Sequence, residues 1–177
     1  MTNRRWVAVA LIAVGAVAVV IGVVKLLSDS SSDAPDGGAR STAIASAISG
    51  AGRATDPFPE LTAARLAVGS RCIRVVIADS LGERVEGLRQ ERDLGGYDGM
   101  LFVFDGATDV GFTMSTVPVP LDIAFYDADG NLVATQRMKP CAKVENECPV
   151  YRSDEPFVYA LETLKGKLLP GSLSTCA

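Results

Sequence analysis

The 177 residues of this chain include four cysteines and no histidine, which turns attention to its carboxylates, cysteines and arginines. Without imidazole, Ser-His and Cys-His nucleophile pairs and histidine metal sites are excluded. The carboxylate in the most apolar company is Asp122, in STVPVPLDIAFYDADG at 115–130. Val117, Val119 and Leu121 precede it, and Ile123 and Phe125 follow. An ionised carboxylate cannot be fully buried there without a partner. Two readings stay open. Asp122 lies on the outer face of a strand whose other face is core, or it lines a pocket with basic or backbone donors. Arg89 and Arg92 are the donors available for polar recognition, and Tyr126 offers a ring for stacking. These four residues form the candidate ligand-binding set.

The cysteines are Cys72, Cys141, Cys148 and Cys176. Outside a reducing compartment an even count reads as disulfides, with three possible pairings. The pairing expected is Cys141–Cys148 with Cys72–Cys176. By loop-closure entropy these are worth at most roughly 2.5 and 4.8 kcal/mol, large beside a typical total stability of about 5–15 kcal/mol. A four-thiolate zinc site would need C-x2-C pairs, which are absent. Six residues between Cys141 and Cys148 also argue against a redox-active pair. Asp127, Asp129 and Asn131 resemble calcium ligands, but the twelfth position of such a loop is Met138, so DADGN is a turn. No metal or cofactor is implied. Two facing carboxylates among Asp98, Asp105, Asp109 and Asp122 would suffice for glycoside hydrolysis, but no pairing is legible.

The elements that position these residues begin with geography. WVAVALIAVGAVAVVIGVV, Trp6–Val24, is 19 residues without a charge, a helix of about 29 Å against a hydrocarbon core of about 30 Å. Arg4 and Arg5 precede it and Asp29, Asp33 and Asp36 follow, so the N-terminus is expected in the cytoplasm. A cleaved signal peptide would have a shorter apolar core with a small-residue site close behind. The expected layout is a cytoplasmic stub at 1–5, a transmembrane helix at 6–27, a flexible Ser/Asp/Gly/Ala linker at 28–65 and an extracytoplasmic β domain at 66–177. That domain carries 11 basic and 16 acidic side chains, so nucleic acid is not an expected partner.

Within it, RCIRVVIADS predicts a strand, and Ser80 with Glu83 forms a capping box. Leu81, Val85 and Leu88 fall on one stripe of a helix over 81–90. MLFVF reads as a strand covered on both faces, and VGFTMS as another strand. Pro118 and Pro120 place a bend before the Leu121–Tyr126 strand, and DADGN closes a hairpin into LVATQRM. Phe157, Tyr159 and Leu161 alternate as a core face, and a weak helix is expected at 163–169. The class expected is mainly β, a sandwich or barrel with one or two short helices behind the N-terminal span.

IADSLGERVEGL, DGMLFVF, GFTM, PLDIAFYDADGNLV, MKPC, CPVY and YALE resemble, in order and spacing, the motifs of the domain of unknown function 192 family. The resemblance covers roughly residues 70–165. It implies a compact jelly-roll-like sandwich and no established activity. Some relatives likewise sit behind a signal or anchor segment. Two motifs depart. The family's G-L-M-F-R run is Gly87-Leu88-Arg89-Gln90-Glu91 here, and F-W-M-K-N-T is Phe112-Thr113-Met114-Ser115-Thr116. An aromatic and a basic residue, the usual anchors of a sugar or anionic ligand, are thereby lost.

The function expected is a membrane-anchored, extracytoplasmic binding module for an envelope glycan, a small molecule or a protein partner, rather than an enzyme. The alternatives are a carboxylate-based hydrolase of envelope glycans and a structural subunit of a membrane complex.

Overall fold

The computed structural model describes residues 37–177. The chain runs through α1 (Gly37–Ser49), β1 (Gly52–Arg53), β2 (Thr62–Val68), β3 (Arg71–Ala78) and α2 (Leu81–Glu86). There follow β4 (Gly99–Thr108), β5 (Phe112–Thr113), β6 (Leu121–Tyr126) and β7 (Leu132–Met138). A 3-10 turn at Glu145–Glu147 leads to β8 (Val150–Tyr151), β9 (Phe157–Leu164) and β10 (Leu173–Thr175).

Eight strands share one sheet in the order β1-β2-β3-β4-β9-β6-β7, with β10 on β2, while β5 and β8 pair separately. The mainly β expectation holds, with two short helices. One parallel pair, β3 with β4, departs from an all-antiparallel jelly roll. It arises because α2 and a long turn carry the chain across rather than back, as parallel neighbours require.

Both faces of the sheet are covered, so its central strands are apolar on both sides. Val76, Met100, Phe102, Ile123 and Phe125 lie in one core. Val75, Leu101, Ala124, Tyr126 and Leu161 lie in the other. The DADGN turn is tied by Asp127, whose Oδ1 accepts from the Asp129 and Asn131 amides at 2.9 and 2.8 Å. Gly130 (φ 75°) must be glycine, because a Cβ there would strike the Leu173 carbonyl and Ile44. Cys72–Cys176 and Cys141–Cys148 are both bonded, which is the expected pairing.

Three expectations need correction. Residues 37–65 are not a linker. They form α1, β1 and the start of β2, and Ile44 is completely buried against the second core. Ala47 and Ile48 of the same helix pack beside it. The α2 stripe is not buried either: Leu81 is 73% and Val85 60% exposed, and only Leu88 enters the core. The helix stops at Glu86 because Gly87 takes a positive φ of 52° with its N–H on the Glu83 carbonyl, turning Leu88 inward. The weak helix at 163–169 is absent, since β9 runs on to Leu164 and turns at Lys165. The expected transmembrane helix at 6–27 lies outside the described residues. Among the described residues no helix is long and apolar enough to cross a membrane.

Truncating Ile44 to Ala is expected to lower the stability of the β domain by about 2–4 kcal/mol in urea denaturation. An unchanged midpoint would mean that α1 is a tether after all.

Candidate functional site

β9 places Glu162 opposite Met100 on β4 and Ile123 on β6, in the hydrogen-bonded middle of the sheet. Strand alternation turns it to the same face as Ala160, where covering elements leave an open pocket of about 220 Å³ above it. Phe102 and Phe104 come up from β4, Phe112 and Thr113 arch over from β5, and α2 with Gly87–Arg89 closes a third side. The aromatic wall is cross-braced. Phe102 and Phe112 meet edge to face at 5.1 Å, and Phe112 meets Phe125 at 5.8 Å.

Two guanidiniums stand at the rim, each tied down. Arg84 lies over the Phe104 ring at 5.0 Å and donates to the Val103 carbonyl at 2.8 Å and to the Asp79 carbonyl. Arg89 donates to the Val85 and Ser115 carbonyls, each at 3.0 Å, and to Glu145 at 2.8 Å. Glu145 is held there by the Cys141–Cys148 loop, which docks on the 114–116 segment through paired backbone bonds between Cys141 and both Met114 and Thr116. At this junction Gln90 and Thr116 both adopt φ of 62°, joined by Gln90 N–H on the Thr116 carbonyl. Left-handed backbone at a β-branched residue is strained, and it persists because the loop contacts fix it.

Glu162 itself is 4% exposed. Among the described residues no hydrogen bond or ion pair reaches its carboxyl, and burial alone pushes its pKa up to about 8. At neutral pH it is mostly a protonated acid, offering one O–H donor and an acceptor oxygen to the pocket.

The four residues of the sequence-derived set do not converge. Arg89 lines the pocket. Asp122 faces the other side of the sheet, 6% exposed. Its Oδ1 accepts from Arg137 Nε at 3.1 Å and its Oδ2 from the Gly166 amide at 2.6 Å. Both oxygens are thus used to tie β7 and the turn after β9. Tyr126 is fully buried on that same face, its hydroxyl without a partner and its pKa pushed up to about 12 by burial. Its ring is core. Arg92 is exposed on the turn beyond the pocket. Glu162 was missed because FVYALETL reads as a strand with one buried face, which assigns Ala160 and Glu162 to water. The signal was the YALE motif itself, a lone acid in an eight-residue strand otherwise without charge.

A second groove, of about 330 Å³, lies on the other side of α2 and shares Glu86, Gly87 and Arg89 with the first. It contains no buried titratable group.

Residues 64–170 match the family model of domain of unknown function 192, Uncharacterized ACR. Two solved structures are similar. One is a protein of unknown function from Novosphingobium aromaticivorans, at 22% identity and TM-score 0.59, covering 72% of this chain and 95% of that one. The other, from Sinorhizobium meliloti, is provisionally described as a transcription regulator. It shows 26% identity and TM-score 0.54, covering 62% of this chain and 90% of that one. No curated protein matches the chain. The motifs SLGERVEGL, MLFVF, GFTM and YALE all contribute walls or floor to the one pocket, and so do Arg89, Phe112 and Thr113 from the two departing motifs.

The folded state keeps a proton on Glu162 that the unfolded chain releases near the ordinary value of 4.5. Stability therefore falls as pH rises from about 4.5 to about 8, then levels off. Glu162→Gln is expected to match the wild type near pH 4 and exceed it by about 2–4 kcal/mol at pH 8, read by urea denaturation across pH. Parallel stability–pH curves for the two proteins would refute the buried acid.

Proposed function

The chain belongs to the domain of unknown function 192 family, and on that premise we propose that it is a binding module displayed outside the cell membrane, recognising its partner through the pocket above Glu162. The single observation that carries this reading is the unpartnered carboxyl at the floor of an aromatic-walled cleft. Perturbed, buried acids in pockets are candidates for function because they cost stability wherever they lack one. The apolar stretch at 6–27 supports a membrane anchor, and two disulfides fit an oxidising exterior. The sheet with a core on each face is read as a variant of a jelly-roll-like sandwich.

A volume of about 220 Å³ is below the roughly 300–1,000 Å³ of pockets that enclose whole small molecules. The pocket thus suits a side-chain-sized group projecting from a larger envelope component, glycan or protein. Exposed Leu81, Val85 and Val110 at its mouth give that component apolar footing.

One observation favours a second reading. Glu86 and Glu145 line the same pocket as Glu162, and a pair of carboxyl groups in one cleft is what glycoside hydrolysis uses. Turnover of cell-wall polysaccharide, abolished by Glu162→Gln with the fold intact, would establish the hydrolase.

For the binding module, soluble fragments released from the cell wall are titrated into the full chain in detergent micelles, with amide shifts followed by NMR. Shifts are expected at Phe102, Phe112 and Arg89. Glu162→Leu, which keeps the volume and removes both hydrogen-bonding functions, is expected to weaken binding about tenfold or more while stabilising the fold. Undiminished binding by that variant would contradict the proposal.

A further inference from the structure

Resting on the pocket reading above, we infer that the group received over Glu162 is a primary alkylammonium, a cationic end on a methylene stem. The charged groups lining the pocket are Arg84, Glu86 and Arg89 from α2 and the residues after it, Glu145 from the 3-10 turn, and Glu162 from β9. The sheet neighbours of Glu162 are the apolar Met100 and Ile123. Arg89 pairs with Glu145, Glu86 stands exposed to water, and Glu162 is the one buried acid of the lining, with no ion pair.

The rim arginines do not supply it. Arg89 spends its fork on Glu145 at 2.8 Å and on two carbonyls, and Arg84 is bound to the Asp79 and Val103 carbonyls. An anionic ligand would find Arg89 already paired with Glu145 and would make ionising Glu162 costlier still. A neutral ligand would hydrogen-bond the protonated acid and leave it un-ionised. A cation completes it, since a buried carboxylate is stable once paired and hydrogen-bonded. The walls select the stem: Leu88, Phe102, Phe112 and Val117 offer methylenes apolar contact, and aromatic faces attract an ammonium. A sugar amine would set its ring hydroxyls against those apolar walls, where Thr113 is the one neutral hydroxyl of the lining.

Docking of the ammonium ionises Glu162, with the carboxyl proton released to solvent and the amine keeping its own. Affinity must therefore rise with pH until the floor acid is fully ionised, then hold until the amine itself deprotonates near 10.4.

The test uses the full chain in micelles, titrated by NMR with n-butylamine, glucosamine and n-butanol at pH 6, 7 and 9. Butylamine is expected to shift the pocket residues, to bind about tenfold more tightly at pH 7 than at pH 6, and to bind at least tenfold less tightly to Glu162→Gln. Butanol and glucosamine are expected to bind at least tenfold more weakly. Butanol binding as tightly as butylamine, or glucosamine binding more tightly, would overturn the alkylammonium assignment while leaving the pocket a binding site. Absence of butylamine shifts at the pocket would overturn it as well, whatever the wall fragments do.

Discussion

Removing a carboxylate from water into an apolar site costs several kcal/mol unless a cation or donor groups go with it. An acid so placed survives in a fold by staying protonated, and its neighbours must hold the space around it open. Glu162 is held in this way. The β4–β9–β6 pairing fixes its backbone, the Phe102–Phe112 contact walls it, and α2 closes over it. The capping box that starts α2 and the positive-φ Gly87 that ends it keep the helix short, so Leu88 drops into the core while Leu81 and Val85 stay exposed at the mouth. The Cys141–Cys148 loop carries Glu145 to Arg89, so that guanidinium is engaged at the rim.

Asp122 shows the opposite solution on the other face of the sheet. Buried almost as deeply, it satisfies both oxygens with Arg137 and the Gly166 amide and thereby fastens the edge strand β7 to the turn after β9. One acid is integrated into the fold's hydrogen bonding, and the other is left out of it. Buried polar groups in folded proteins are nearly always paired; among those left unpaired here, beside the Tyr126 and Thr163 hydroxyls, Glu162 is the acid and lines an open pocket where a partner can reach it.

Much of the frame is legible in the residues. DADGN, the Ser80–Glu83 box, the two disulfides and the double-faced MLFVF strand follow from local chemistry that tertiary packing does not overrule. What is not legible depends on who covers whom. Leu81 and Val85 have a helical stripe but meet solvent, because the helix ends a turn before the core does. Ile44 and Ile48 are the two large apolar residues in a run of Ser, Ala and Gly, too little to distinguish a docked helix from a tether. Glu162 alternates with buried Leu161 and so reads as surface. Only the placement of β9 at the centre of a sheet covered on both sides turns that alternation inward.

The most direct measurement is the titration of the Glu162 side-chain carboxyl itself, followed by carbon-detected NMR in the full chain and assigned with Glu162→Gln. A midpoint near 8 is expected, shifting downward when a cation occupies the pocket. A midpoint in the ordinary glutamate range of about 4–5 in the unliganded protein would contradict the buried, unpartnered acid on which the binding site is built.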